Sequence, residues 1–82
     1  MIVTLQLKYY PKAMAAGKSE VRIQLQGGET LGDLKRALRE TLPELFPEAE
    51  YAKYIVNGRL AGNDTVLMDG NNVNILLPVF GG

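Results

Sequence analysis

Thr30-Leu31-Gly32-Asp33-Leu34-Lys35-Arg36-Ala37-Leu38-Arg39-Glu40-Thr41-Leu42 is the stretch that decides how this chain folds. Leu31, Leu34, Leu38 and Leu42 recur at the spacing of one helix face, with Ala37 filling in, while Lys35, Arg36, Arg39 and Glu40 take the opposite side. Thr30, with Asp33 three residues later, reads as a capping box. Its hydroxyl accepts from an early helix N–H, and the carboxylate sits at the positive end of the dipole. One amphipathic helix is predicted, and Pro43 and Pro47 break it. Lys35, Arg36 and Arg39 form a basic patch that fits either an acidic partner or an ordinary solvated helix face.

Upstream, residues 2–9 alternate: Val3, Leu5, Leu7 and Tyr9 share one face, Thr4, Gln6 and Lys8 the other. Val21, Ile23 and Leu25 alternate in the same way with Arg22, Gln24 and Gln26. Two antiparallel strands follow from this, joined by a short connection that starts at Tyr10-Pro11 and runs through Gly17. Gly27-Gly28 lets the backbone swing off the sheet toward the helix, and it matches neither glycine-rich phosphate-loop pattern.

Downstream, residues 43–50 read as an irregular connection that tucks Leu45 or Phe46 under the core. Tyr54-Ile55-Val56 is a strand, and Asn57-Gly58 after it is a hairpin signal that turns the chain back through Arg59-Leu60. Thr65-Val66-Leu67 is a brief strand or turn that packs Val66 or Leu67 inward. Asp69-Gly70-Asn71-Asn72 makes a tight turn into a last strand, Val73–Leu77. The order predicts an α+β domain, residues 1–77, with a mixed sheet of four to five strands and the one main helix across one face. The first and last strands are expected to be central, parallel neighbours.

Composition excludes more than it suggests. Eighty-two residues form one small domain with no room for a large internal cavity. Its 46% hydrophobic and 22% charged residues suit a folded globular chain. Lys plus Arg and Asp plus Glu both number 9, so no net field recruits nucleic acid or an acidic membrane. Cysteine and histidine are absent, which removes thiolate nucleophiles, disulfides, sulfur-ligated metals and the commonest general base and metal ligand. Glu44, Glu48 and Glu50 lack the tight carboxylate spacing of a metal site, and no metal is expected. No apolar run is long enough to span a bilayer, and Met1–Thr4 begins a strand pattern where a signal peptide would be basic, so a cytoplasmic protein is expected.

Pro78-Val79-Phe80-Gly81-Gly82 then reads as a flexible diglycine tail, residues 78–82. Two residues without Cβ atoms let the chain enter a channel too narrow for side chains. Taken alone, the stretch reads more simply as a frayed end, the ordinary state of a domain terminus. In strand phase Leu76 and Phe80 point away from the Ile75-Leu77 face, which predicts a docking patch beside the tail, and a buried second sheet face would place Leu76 equally well. Arg59 at the hairpin offers a charge contact.

The β-β-α-β-β order resembles the ubiquitin-like sulfur carriers, as do Val56-Asn57-Gly58, Asp69-Gly70 leading into Val73-Asn74-Ile75, and the Gly81-Gly82 terminus. Within them it is most similar to the small subunit of molybdopterin synthase, with the thiamine-pathway carrier as kin. The resemblance implies a β-grasp fold and a carrier that is not itself an enzyme and binds no cofactor. It also implies that a ubiquitin-activator-like enzyme uses ATP to adenylate the Gly82 carboxylate, which then becomes a thiocarboxylate. The sulfur would pass to the synthase large subunit, or to an analogous acceptor, with Leu76, Pro78, Val79, Phe80 and Arg59 at the partner interface. A ubiquitin-like modifier conjugated to lysine shares these features, and a plain β-grasp interaction module is the third reading, in which the diglycine is incidental. Two positions depart from the molybdopterin-type tail: Leu77-Pro78 stands where two prolines are usual, and Phe80 where a small residue is. Phe80 thus points either to a different partner set or to packing back on the domain.

Overall fold

The alternation at the start of the chain becomes strand β1 (Ile2–Tyr9), with Val3, Leu5 and Leu7 fully buried. The computed structural model describes residues 1–9, 17, 19–46 and 48–76. Strand β2 (Glu20–Gln24) pairs antiparallel with β1, Val3 opposite Ile23 and Leu5 opposite Val21. Helix α1 (Leu31–Thr41) follows, then a 3-10 turn (Pro43–Leu45) and a short helix α2 (Glu48–Tyr51). The hairpin of β3 (Lys53–Val56) and β4 (Arg59–Ala61) and the last strand β5 (Asn72–Leu76) complete a mixed sheet ordered β2-β1-β5-β3-β4. β1 and β5 are the parallel central pair, as expected, and β5 is antiparallel to β3.

Every leucine of the α1 stripe turns inward. Leu31, Leu34 and Leu38 are fully buried and Leu42 nearly so, in one cluster with Val3, Leu5, Leu7, Val73 and Ile75 from the central strands. The helix therefore covers one sheet face and leaves the other open.

The N-terminus of α1 shows where its orphan donors go. The N–H groups of Leu31 and Gly32 donate to the carbonyls of Thr65 and Asn63, at 2.9 and 3.0 Å. Asp33 N–H donates to Thr30 Oγ1 at 3.3 Å, and Thr30 N–H returns a bond to Asp33 Oδ2 at 3.0 Å, which closes the capping box. The Thr30 hydroxyl and Glu29 N–H also donate to the same carboxylate oxygen, at 3.0 and 2.9 Å. A Cβ on Gly28 would lie 2.7 Å from Asp33 Cβ, so this carboxylate can seat only against a glycine.

The backbone N–H groups of Thr30 and Glu29 and the Thr30 hydroxyl hold Asp33 below its ordinary pKa. A depressed carboxylate contributes stability that is complete above its unfolded value and is lost as pH falls through the folded one. Asp33→Asn should therefore be less stable than the parent at pH 7, with the gap closing in acid below about pH 4. Thermal melts of both proteins from pH 2 to 7 check this, and parallel curves would remove Asp33 as the source.

Two readings change, and one open choice is decided. Residues 43–50 are not irregular: Pro43 occupies the first turn of the 3-10 segment, where a proline's missing N–H costs nothing, and Glu48 begins a helix. Within that segment Leu45 is buried and Phe46 half-buried. Of the pair Val66 and Leu67, the second turns inward. An isolated bridge between Thr30 and Val66, with Leu67 N–H donating to Glu29 O at 2.6 Å, leaves Leu67 1% and Val66 60% exposed. Lys35 is half-buried rather than on an open helix face, its ammonium 5.1 Å from the centre of the Tyr54 ring and 2.8 Å from Asn63 Oδ1.

Candidate functional site

The end of β5 is held from both sides. Leu76, the last described residue, pairs with Lys53 of β3 on one side and with Tyr9 of β1 on the other. Between Gln6 and Tyr9 the β1–β5 register shifts, three residues of β1 advancing against two of β5. An extra residue of this kind bends and twists a strand locally. The bend therefore falls at the rim of the sheet beside Leu76, where β5 leads toward Gly82. Leu77, Pro78, Val79, Phe80, Gly81 and Gly82 lie outside the described residues. Gly82 lies six residues beyond Leu76, a reach of about 20 Å when fully extended.

On the open face, cross-strand pairing places Ile55 opposite both Leu60 and Asn74, with Leu76 two residues further along β5. Leu60 is 66% exposed, and Ile55 and Leu76 are half-buried. An apolar strip thus runs from the β4 edge toward the end of β5, with Lys53 beside it. Toward β2 the same face is polar: Gln6 Nε2 donates to Glu20 Oε2 and to Asn72 Oδ1, each at 3.2 Å. Ile55 and Leu60 are the members that sequence reasoning missed. The phase of Lys53–Val56 across the Asn57-Gly58 turn is the signal that places them together.

Arg59 is exposed, but the structure does not bring it to Leu76. It pairs with Val56, which pairs with Val73, so it stands two strands across and three residues along from Leu76. That is about 14 Å between Cα positions, given strand spacing near 4.8 Å and a rise near 3.3 Å per residue. Its side chain also shares the face of Val56, opposite the apolar strip.

The basic helix patch is already partnered. Arg36 contacts Asp33 at 3.2 Å, and Arg39 contacts Glu50 at 2.9 Å while lying 5.1 Å from the Phe46 ring. Among the described residues no three His, Cys, Asp or Glu side chains group in a way that could hold a metal ion. No helix among them is long and apolar enough to cross a membrane.

Small archaeal modifier protein 1 from Haloferax volcanii superposes with a TM-score of 0.82 at 24% identity, with all of both chains covered. A protein assigned as subunit 1 of the molybdopterin converting factor from Pyrococcus furiosus gives 0.77 at 26% identity, over 96% of this chain and 99% of that one. Small archaeal modifier protein 1 from Methanosarcina acetivorans gives 0.73 at 25%, over 99% and 96%. No curated protein sequence matches the chain. The ubiquitin-like β-grasp layout is thus shared with these structures, and the ThiS family model matches residues 7–82, from within β1 through the diglycine. This chain belongs to the ThiS family.

Proposed function

We propose that this protein is a sulfur carrier whose reactive group is the carboxylate of Gly82. The observation that carries this reading is the ThiS family match extending over Gly81-Gly82, on a domain whose central strand leads into that segment. A carboxylate is a poor electrophile. ATP converts it to an acyl-adenylate with release of pyrophosphate, and a sulfur nucleophile then displaces AMP to leave a thiocarboxylate. The chain has no cysteine or histidine to perform such chemistry itself. A ubiquitin-activator-like partner enzyme therefore supplies the ATP site, and the carrier binds no cofactor of its own.

The receiving partner is a molybdopterin synthase large subunit or an analogous sulfur acceptor in the cytoplasm. The 26% identity to the Pyrococcus furiosus subunit favours the molybdopterin pathway. Leu76, extended by Ile55 and Leu60, is the docking surface, and Pro78, Val79 and Phe80 thread toward the acceptor. Phe80 sets the width the acceptor's channel must have. Arg59 touches a partner only if that partner reaches around the β4 edge.

A second reading is favoured by the modifier from Methanosarcina acetivorans at 25% identity. In it the same adenylate is attacked by a lysine ε-amine of a target protein, which forms an isopeptide bond and releases AMP.

Intact mass after incubation with the activating enzyme, ATP and a sulfur donor separates the two readings. Replacement of one oxygen by sulfur supports the carrier, and a ladder of protein adducts supports the modifier. An unchanged mass with every cognate activator rejects both. Leu60→Lys should leave the melting temperature within about 2–4 °C of the parent, because an exposed surface change costs under ~0.5 kcal/mol. It should nonetheless raise the carrier's KM in the adenylation assay by on the order of tenfold, the effect of losing a contact worth about 1.4 kcal/mol. An unchanged KM would detach the apolar strip from docking.

A further inference from the structure

The sheet has two edges, β2 and the three-residue β4, and the charge pattern of β2 fits a second copy of itself. Leu7 N–H donates to Ser19 O, and Leu25 N–H to Met1 O, both at 2.8 Å. Backbone groups alternate sides along a strand, so those of residues 19, 21, 23 and 25 face β1. The N–H and C=O groups of Glu20, Arg22 and Gln24 therefore face outward. β2 ends the strand order, so among the described residues no strand pairs with it on that side.

We infer that this edge pairs antiparallel with β2 of a second copy about a two-fold axis at Val21. Glu20 then lies opposite Arg22 of the other copy, and Arg22 opposite its Glu20. Both are hydrogen-bonded pairs exchanging their N–H and C=O groups. Both carry opposite charges on the open face, which stabilises a cross-strand pair. On the helix side, half-buried Val21, which already packs against the core, meets its own copy across the axis at the close spacing of a non-hydrogen-bonded pair.

The neighbouring registers lack this match. An axis at Arg22 sets arginine against arginine, and an axis at Ile23 sets Arg22 against Gln24 with no ion pair. Charges on an edge ordinarily keep strands apart. Here opposite charges two residues apart are self-complementary, and a net charge of zero adds no repulsion between copies. Glu20 is also steered over the sheet, its Oε2 accepting from Gln6 Nε2 at 3.2 Å. Because β5 is central and the apolar strip runs to the β4 edge, a ten-strand dimer keeps both Leu76 positions accessible.

Sedimentation velocity on the full chain, from micromolar to millimolar concentration, is the test. The parent is expected to form a dimer at the upper end. Glu20→Arg and Arg22→Glu, each creating two like-charge pairs, should lower the association constant by on the order of tenfold with unchanged circular dichroism. An equimolar mixture of the two variants should associate heterotypically, because one copy then offers two arginines and the other two glutamates. The double exchange in one chain should restore self-association. A parent monomeric throughout, single variants that associate as tightly as the parent, or a mixture no better than its components would each overturn the pairing.

Discussion

Deleting Gly82 is expected to abolish thiocarboxylate formation and every transfer that depends on it, while the melting temperature stays where it was. The shortened chain still ends in a carboxylate, on Gly81, so the comparison isolates placement from the presence of the group. Losing one residue withdraws that carboxylate by about 3.5 Å. Catalytic geometry tolerates little of this, since a misplacement near 1 Å can cost on the order of 100-fold in rate. Stability should not respond, because the described core runs from Val3 to Ile75 and the last paired rung is Tyr9–Leu76–Lys53. The measurements are intact mass with the activating enzyme and a thermal melt of the same sample. A truncated protein that is still thiolated rejects the role of Gly82, and a lowered melting temperature would mean that the terminus contributes to the fold.

The largest effect on stability is expected at Tyr54. Its side chain is the largest that is fully buried, its hydroxyl donates to Ala49 O in α2 at 2.7 Å, and the Lys35 ammonium lies over its ring. Its backbone sits in β3 between Ile75 of β5 and Ala61 of β4. Tyr54→Ala should cost about 3–5 kcal/mol, the range for emptying a buried aromatic site. For a domain of this size each kcal/mol lowers the melting temperature by about 4–8 °C, so a drop of at least ~12 °C is expected. Tyr54→Phe keeps the packing and removes the hydroxyl, which should cost about 1–3 kcal/mol as a buried hydrogen bond is broken. Urea unfolding of the three proteins gives both differences. Equal losses in the two variants would put the stabilisation in the hydrogen bond rather than in the ring.

Much of this was legible in the residues because it depends on short-range rules. The α1 leucines recur at 3.6-residue spacing, and Thr30 and Asp33 sit at capping-box separation. Asn57 and Gly58 take the left-handed conformation their turn requires, with φ of 53° and 77°. At Pro43 two short-range signals conflict, because a proline breaks a long helix but also suits the first turn of a new one, so the helical turns at Pro43–Leu45 and Glu48–Tyr51 are not legible in the residues. Thr65–Leu67 is too short for alternation to choose between Val66 and Leu67. That choice is made by Thr30 and Glu29, some 36 residues upstream, through the bridge and the Leu67 hydrogen bond.

The site divides in the same way. By itself the sequence determined the strands, the helix and its inward face, the parallel placing of the first and last strands, the absence of any cysteine or histidine, and the Gly81-Gly82 pair. Each of these follows from composition or from a period of two or 3.6 residues. Only the tertiary structure decided that Ile55 and Leu60 join Leu76, that Arg59 stands apart on the other face, that a register shift falls beside Leu76, and that the outward groups of β2 belong to Glu20, Arg22 and Gln24. These depend on register between strands far apart in the chain, and a one-residue slip moves every side chain to the opposite face. Packing of the whole core against α1 sets that register, and no local run of residues contains it.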